Sequence, residues 1–300
     1  MRILITGATG FVGEQVAKAL QQNNHQLILL VRDVAKISFS GFSGSYTPQI
    51  IDLNLSTWKQ EITHANPDAV LHLAAYLTSA DDEQSIDKLI SSNLSFGMHL
   101  LNALQTTQLK YFINTGTFAE YRDNNGIPNP SYLYAATKTA FRSILSYYSS
   151  ITGFKVVNVI PYTIYGAVDT KKKLIDYIYD SITTSSPIKM SPGEQILDFI
   201  HIEDVVSFYL HLFNNLSALN HDFTEIHLGT GVGTTPKQIA AIIENITGEK
   251  TNIDWGGIPY RPRDTMYSVA DIKPFVQITN WEPYIRVREG LVKYIQLMDL

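Results

Sequence analysis

Arg2-Ile3-Leu4-Ile5-Thr6-Gly7-Ala8-Thr9-Gly10-Phe11-Val12-Gly13 opens the chain, and Glu14-Gln15-Val16-Ala17-Lys18-Ala19-Leu20 follows directly. The first five residues are of strand length with Ile3-Leu4-Ile5 at their centre, and after the glycines the apolar residues recur at helical spacing. Glycines at this junction permit a tight turn and let an anion approach the backbone, where the first N–H groups of the helix are free to meet its charge. Strand, GxxGxxG turn and helix together read as a dinucleotide-binding unit, with Gly7, Thr9, Gly10, Phe11, Val12 and Gly13 as its contacts; the plainer alternative is a tight turn and nothing more.

The same alternation continues downstream. Short β-branched or leucine-rich runs at 26–31, 69–73, 111–115 and 155–160 are separated by amphipathic stretches that include 12–22, 94–105 and 133–150. This pattern builds βαβ units, so the expected fold is α/β: a doubly wound parallel sheet of the Rossmann kind over residues 1–160. Past Pro161 the alternation fails, and segments such as 185–195 and 255–264 are rich in Gly, Pro and turn formers. A smaller substrate-binding lobe is therefore expected over 161–300, interleaved with the first unit because 198–201 and 225–228 still read as returning strands.

Composition narrows the function. A 300-residue chain with 45% apolar and 17% charged residues is globular, and it has no apolar stretch long enough to span a membrane. The apolar run at the N-terminus is too short for a secretory signal. Zero cysteines exclude disulfides, thiolate zinc sites and a cysteine nucleophile; no metal is expected, and a reducing, cytoplasmic setting fits. A net charge of -5 argues against nucleic acid as partner, and Lys171-Lys172-Lys173 reads as a solvated helix start. Small molecules are the expected ligands.

In a dinucleotide unit the end of the second strand meets the adenosine ribose, where an acid suits a free 2′-hydroxyl and an arginine suits a 2′-phosphate. That strand ends in Arg32-Asp33. Arg32 points to NADP; Asp33 could serve NAD instead, and Arg32 could be a solvated strand-end residue. Tyr134-Ala135-Ala136-Thr137-Lys138 sets a phenol and an ammonium one helical turn apart, a pair suited to moving a proton at a carbonyl or alcohol if the cation lowers the phenol's pKa. Tyr-x-x-x-Lys is also an ordinary surface pairing, yet among 17 tyrosines only Tyr134 has a lysine four residues on. Thr115 and Thr117, at the end of the preceding strand, are candidates to orient a substrate oxygen, Thr115 being preferred; the plain reading is strand-end capping. Asn93 either supports Lys138 through backbone or water contacts or caps a helix.

These pieces, in this order, resemble the extended short-chain dehydrogenase/reductase family. The resemblance runs through the glycine turn, Asp52-Leu53, His72-Leu73-Ala74-Ala75, Thr115, Tyr134 and Lys138, Asp198-Phe199-Ile200-His201-Ile202-Glu203-Asp204 and Arg261-Pro262-Arg263-Asp264. It implies that Asp52 and Leu53 lie near an adenine, that Leu73, Ala74, Ala75 and Pro161 line the cofactor cleft, and that Arg261 meets a nucleotide diphosphate. Without it, His72 reads as a core histidine, Asp52 as a turn residue and Arg261 as a surface arginine. Family dehydratases carry Asp-Glu after the active threonine; here Gly116-Thr117 follow Thr115 and cannot ionise usefully. Thr163 and Leu197 stand where many members have Asn and Arg, which alters the sugar and nucleotide contacts. Around Thr115 and Tyr134 the chain is most similar to bacterial sugar-nucleotide 4-ketoreductases that finish dideoxysugars.

The expected function is accordingly reduction by NADPH of the C4 ketone of a nucleotide-linked deoxyhexose, Tyr134 giving the proton, Lys138 supporting it and Thr115 orienting the carbonyl. Two alternatives stand beside it: 4-epimerisation with NAD, and a redox-silent NADP-binding regulator. The resemblance leaves room for a homodimer.

Overall fold

The computed structural model describes residues 1–167 and 172–298. In the first half the elements are β1 (Arg2–Thr6), α1 (Phe11–Gln22), β2 (Gln26–Val31), β3 (Gln49–Asp52), α2 (Trp58–Ala65), β4 (Ala69–His72), α3 (Glu83–Leu89), α4 (Phe96–Leu104), β5 (Tyr111–Thr115), α5 (Leu133–Thr152) and β6 (Lys155–Pro161). A π-helical turn at Ile90–Ser95 joins α3 to α4, so the helix expected to begin at 94 is the second half of a longer run. The strand β3 and helix α2 were not foreseen: Gln49-Ile50-Ile51-Asp52 is too short to show a period, and it becomes a strand by pairing with β2.

The second half holds β7 (Thr163–Tyr165), α6 (Leu174–Asp180), β8 (Ile188–Met190), β9 (Ile196–His201), α7 (Ile202–Asn215), β10 (Phe223–Leu228), β11 (Gly233–Thr234), α8 (Pro236–Thr247), β12 (Ile253–Trp255), β13 (Tyr267–Ser268), α9 (Lys273–Thr279) and α10 (Val287–Met298). Lys172 and Lys173 immediately precede α6, while Lys171 lies outside the described residues. No helix among the described residues is long and apolar enough to cross a membrane.

Seven strands form one parallel sheet in the order β10-β6-β5-β4-β1-β2-β3. Successive side chains of a strand point to opposite faces, and here each face is covered by helices. Ile3 and Ile5, Ala69 and Leu71, Ile113, Val157 and Val159 pack with α1 and α7; Leu4, Val70, Phe112 and Val156 pack with α2, α4 and α5. The strand order reverses beside β1, and the crevice at the strands' carboxyl ends there is where open α/β sheets bind ligands.

Strand β10 is the piece near 225–228 that returns to the main sheet. The expectation for 198–201 is corrected: β9 pairs with β7, β11 and β13 in a separate four-stranded sheet. A third core, containing Tyr165, Ile175, Ile178, Phe199, Ile239, Ile243 and Leu291, lies beneath that sheet. The apolar residues of Ile196–His201 specify a strand but not its partner, which is a long-range choice.

Candidate active site

The glycine turn is shaped by crowding. Gly7 adopts φ +74, and a Cβ there would lie 2.7 Å from the Ala74 nitrogen; a Cβ on Gly13 would lie 2.1 Å from the Gly7 carbonyl. Those two positions therefore admit only glycine. Gly10 caps α1 with no side-chain hydrogen bond, which leaves the first N–H groups of a 12-residue helix open toward the crevice. Thr9 and Gly10 are exposed, with Phe11 and Val12 half-buried beside them.

The neighbouring strand end is tied in by Thr6. Its hydroxyl bonds His72 Nδ1 at 2.8 Å and accepts from the Ala74 N–H at 3.2 Å, so Leu73, Ala74 and Ala75 line the crevice opposite the glycines. His72 packs among Phe96, Phe112 and Phe141, and burial pushes it down to about 3. It is a neutral core histidine. Pro161 ends β6 on the same edge of the sheet.

At the end of β2, Arg32 is exposed, whereas the Asp33 carboxylate is engaged: it accepts from the Ala35 N–H at 3.2 Å and faces Lys36 at 3.7 Å. Asp52 turns its carboxylate back onto the Asn54 backbone N–H and side-chain amide, both at 2.9 Å, with Leu53 beside it. Of this group, Arg32 and Asp33 are exposed, while Asp52 and Leu53 are half-buried.

Tyr134 and Lys138 sit in the first turns of α5, and both are buried. Lys138 donates to the Thr115 carbonyl at 2.8 Å, and its ammonium lies 5.8 Å from the centre of the Tyr134 ring. Burial pushes Lys138 down to about 8, with Glu120 opposing the shift. Tyr134 is raised above its ordinary value by burial, with Tyr132 and Glu120 adding to it. That corrects the expectation of a lowered phenol: the Lys138 ammonium is spent on a carbonyl, and desolvation dominates.

The two threonines have different surroundings. Thr115 shares a face with Ile113, and its hydroxyl is sealed against the Tyr209 phenol on α7 without a well-formed hydrogen bond. Thr117 caps the short 3-10 turn Phe118–Glu120 and accepts from the Ala119 N–H at 3.3 Å, a long bond that a ligand can replace. The geometry thus reverses the preference for Thr115. Asn93 caps no helix with its side chain: inside the π-helical turn its amide accepts from Tyr76 N–H at 2.8 Å, donates to Tyr76 O at 3.1 Å and to Thr137 at 3.0 Å.

On the second lobe, Arg263 donates to the Asn129 side chain and the Pro130 carbonyl, and Thr265 bonds Ser131 at 2.7 Å. These contacts dock the 261–265 loop on the approach to α5. Burial raises the Tyr132 phenol, with Arg261 opposing the shift, and Tyr132 stacks on Tyr134 at 5.9 Å. Arg261 is exposed on that loop. Thr163 is half-buried on β7 beside Phe11 and Lys173, while Leu197 packs into the third core.

Sequence reasoning missed Glu120, Tyr132 and Arg142. For Glu120 a signal existed: Thr117-x-x-Glu120 is a capping-box pattern, and the structure contains that box. Nothing local marks the other two.

The NAD dependent epimerase/dehydratase family model matches residues 3–224. The chain is 27% identical to CDP-abequose synthase of Salmonella typhimurium over 98% of this chain and 97% of that protein. It is 26% identical to the CDP-abequose synthase of Yersinia pseudotuberculosis, over 89% of this chain and 91% of that one. Its fold matches UDP-glucuronic acid 4-epimerase from Bacillus cereus, solved with UDP-glucuronic acid and NAD, with a TM-score of 0.85 at 19% identity over 100% of this chain and 99% of the other. With a glycine turn that admits no side chain, a parallel sheet reversing beside it and a family match over most of its length, the chain belongs to the NAD dependent epimerase/dehydratase family, of the extended short-chain dehydrogenase/reductase type.

Proposed function

We propose that the protein reduces the C4 ketone of a nucleotide-linked 4-keto-6-deoxy or 4-keto-3,6-dideoxy hexose with NADPH, in deoxysugar biosynthesis for surface polysaccharide. The observation that carries this reading is the buried Tyr134–Lys138 pair, one helical turn apart at the carboxyl edge of the sheet, with no ionisable side chain from 116 to 119. Elimination of water needs an additional acid or base, whereas reduction needs one proton donor and a cation. Similarity to the two CDP-abequose synthases supports the substrate class.

The residues fit a dinucleotide: the Gly7–Gly13 turn and the open end of α1 would hold its pyrophosphate, Arg32 a 2′-phosphate, and Leu73, Ala74, Ala75 and Pro161 would border it. When bound, the nicotinamide supplies the hydride. Thr117 donates a hydrogen bond to the ketone oxygen and sets its direction. Tyr134, protonated throughout the working range because burial raises it, gives its proton to that oxygen as the C4 carbinol forms. The Lys138 ammonium balances the phenolate left behind, and the Thr115 carbonyl fixes where that charge sits. Arg261, exposed on the loop that Arg263 and Thr265 dock beside α5, binds the substrate diphosphate.

The test is to mix the protein with NADPH and a panel of nucleotide-linked 4-keto sugars while following the nicotinamide absorbance. One NADPH consumed per carbinol formed is the expected result. Sugar conversion with no net consumption would replace reduction by 4-epimerisation with NAD, which the NAD held by the Bacillus cereus epimerase favours. NADPH binding with no conversion of any sugar would leave the redox-silent regulator.

Cofactor choice gives a separate expectation. Arg32→Ala should weaken NADPH binding by about 10- to 100-fold, the loss of one charge-assisted hydrogen bond, and leave NADH nearly unchanged. Isothermal titration with both cofactors checks it; equal losses would remove the case for NADP.

A further inference from the structure

We propose that Glu120 is a positioning residue of this site: its buried carboxylate is the counter-charge of the Lys138 ammonium, and the same side chain holds the Thr117 turn against the catalytic helix. The inference rests on the reading of Tyr134 and Lys138 given above.

Glu120 is completely buried. One carboxylate oxygen accepts from the Thr117 N–H at 2.9 Å, and the other accepts from the Thr139 hydroxyl at 3.0 Å. Thr117 carries the proposed orienting hydroxyl, and Thr139 follows Lys138 on α5, so a single side chain joins the two halves of the site. A buried carboxylate is tolerated only when paired and hydrogen-bonded, and a buried ammonium only on the same terms.

The surrounding charges close into a balanced set. Lys138 is faced by Glu120 from the turn, by Tyr134 on its own helix and by neutral His72 from β4. Burial raises the Glu120 carboxyl, and the Thr117 and Thr139 hydrogen bonds, Arg142 one helical turn beyond Lys138, and Lys138 itself oppose the shift. Arg142 pairs with Glu225 on β10 at 2.5 Å and with the Tyr121 hydroxyl, and Asn158 donates to the same Glu225 oxygen at 3.0 Å. Two cations and two carboxylates thus share the space between α5 and the sheet edge. Deleting Glu120 leaves the excess positive, and Lys138 is the member able to shed a proton, since arginine does not. Burial already pushes Lys138 down to about 8, and Glu120 is what resists it.

The experiment is a titration of Lys138 in cofactor-free protein, by NMR of ¹³Cε-labelled lysine, with the resonance identified by its absence in Lys138→Met. Glu120→Gln keeps the volume, and its amide can still accept from the Thr117 N–H. The Lys138 midpoint should fall by about one pH unit or more in this variant, as expected when an opposing charge is lost near a buried cation. The alkaline limb of the ketone-reduction pH profile should move to lower pH by the same amount. Thr139→Val takes away a donor that favours the ionised Glu120 carboxylate, so part of that charge is lost and the Lys138 midpoint should shift in the same direction and by less. It also carries the test alone if Glu120→Gln does not fold. A midpoint unmoved in both variants, or a rate lowered equally at every pH with the limb in place, would reduce Glu120 to a turn cap and overturn the proposal. The titration uses no substrate, so it separates an error about Glu120 from an error about the reaction, which the sugar panel tests by itself.

Discussion

Replacing Tyr134 by Phe is expected to lower turnover by about 10²–10⁴ while cofactor affinity stays within a fewfold of the parent protein. The ring is buried and stacks on Tyr132, and phenylalanine keeps both its volume and that contact. The phenol makes no hydrogen bond among the described residues, so the fold loses little. What disappears is the proton that the ketone oxygen must receive as the hydride arrives. Thr117 and Lys138 stay in place and preserve orientation and charge, which is why the loss should fall on kcat and less on KM. Single-turnover reduction followed at the nicotinamide band, beside a cofactor titration, measures both quantities. Near-parental turnover in a folded variant would show that another group delivers the proton and would remove Tyr134 from the mechanism.

The second large effect concerns stability. Asp198→Ala is expected to cost about 3–5 kcal/mol, read as a shift of the urea midpoint with the slope unchanged. Asp198 has no solvent exposure, and its carboxylate accepts from the Thr230 N–H and hydroxyl, from the Gly231 N–H at 2.8 Å and from the Ala270 N–H at 3.2 Å. Alanine leaves these donors buried without an acceptor, the costly form of a lost hydrogen bond. An amide is no remedy. In Asp198→Asn one oxygen becomes an N–H₂ group aimed at N–H donors, so that variant should also be destabilised. A loss below about 1 kcal/mol would mean that water replaces the carboxylate and that the 229–231 loop is not held by it.

Asp198 also illustrates the limit of local reading. Its strand is visible in the short apolar run Ile196–His201, but pairing with β7, β11 and β13 instead of the main sheet is decided by residues far away in the chain. The carboxylate that could be read only as part of a motif proves to be the acceptor that gathers the loop at 229–231 and the residue at 270.

What the sequence determined by itself was whatever depends on neighbours within a few positions. The strand, glycine turn and helix of residues 2–22, and the phenol and ammonium one turn apart on α5, follow from periods of two and 3.6 residues and from the conformations that only glycine adopts. Those patterns suffice for the doubly wound sheet and for the family. The orientation of Thr115 was legible in principle, since it lies two positions from Ile113 and must share its face. What only the tertiary structure decided was whatever depends on distant residues meeting. Strand β3 exists because β2 offers it an edge, Asn93 is consumed by Tyr76 and Thr137, and Tyr134 is raised because its surroundings exclude water. Glu120 meets α5 for the same reason: folding brings its carboxylate onto the Thr139 hydroxyl across 19 residues of chain while it still holds the Thr117 N–H.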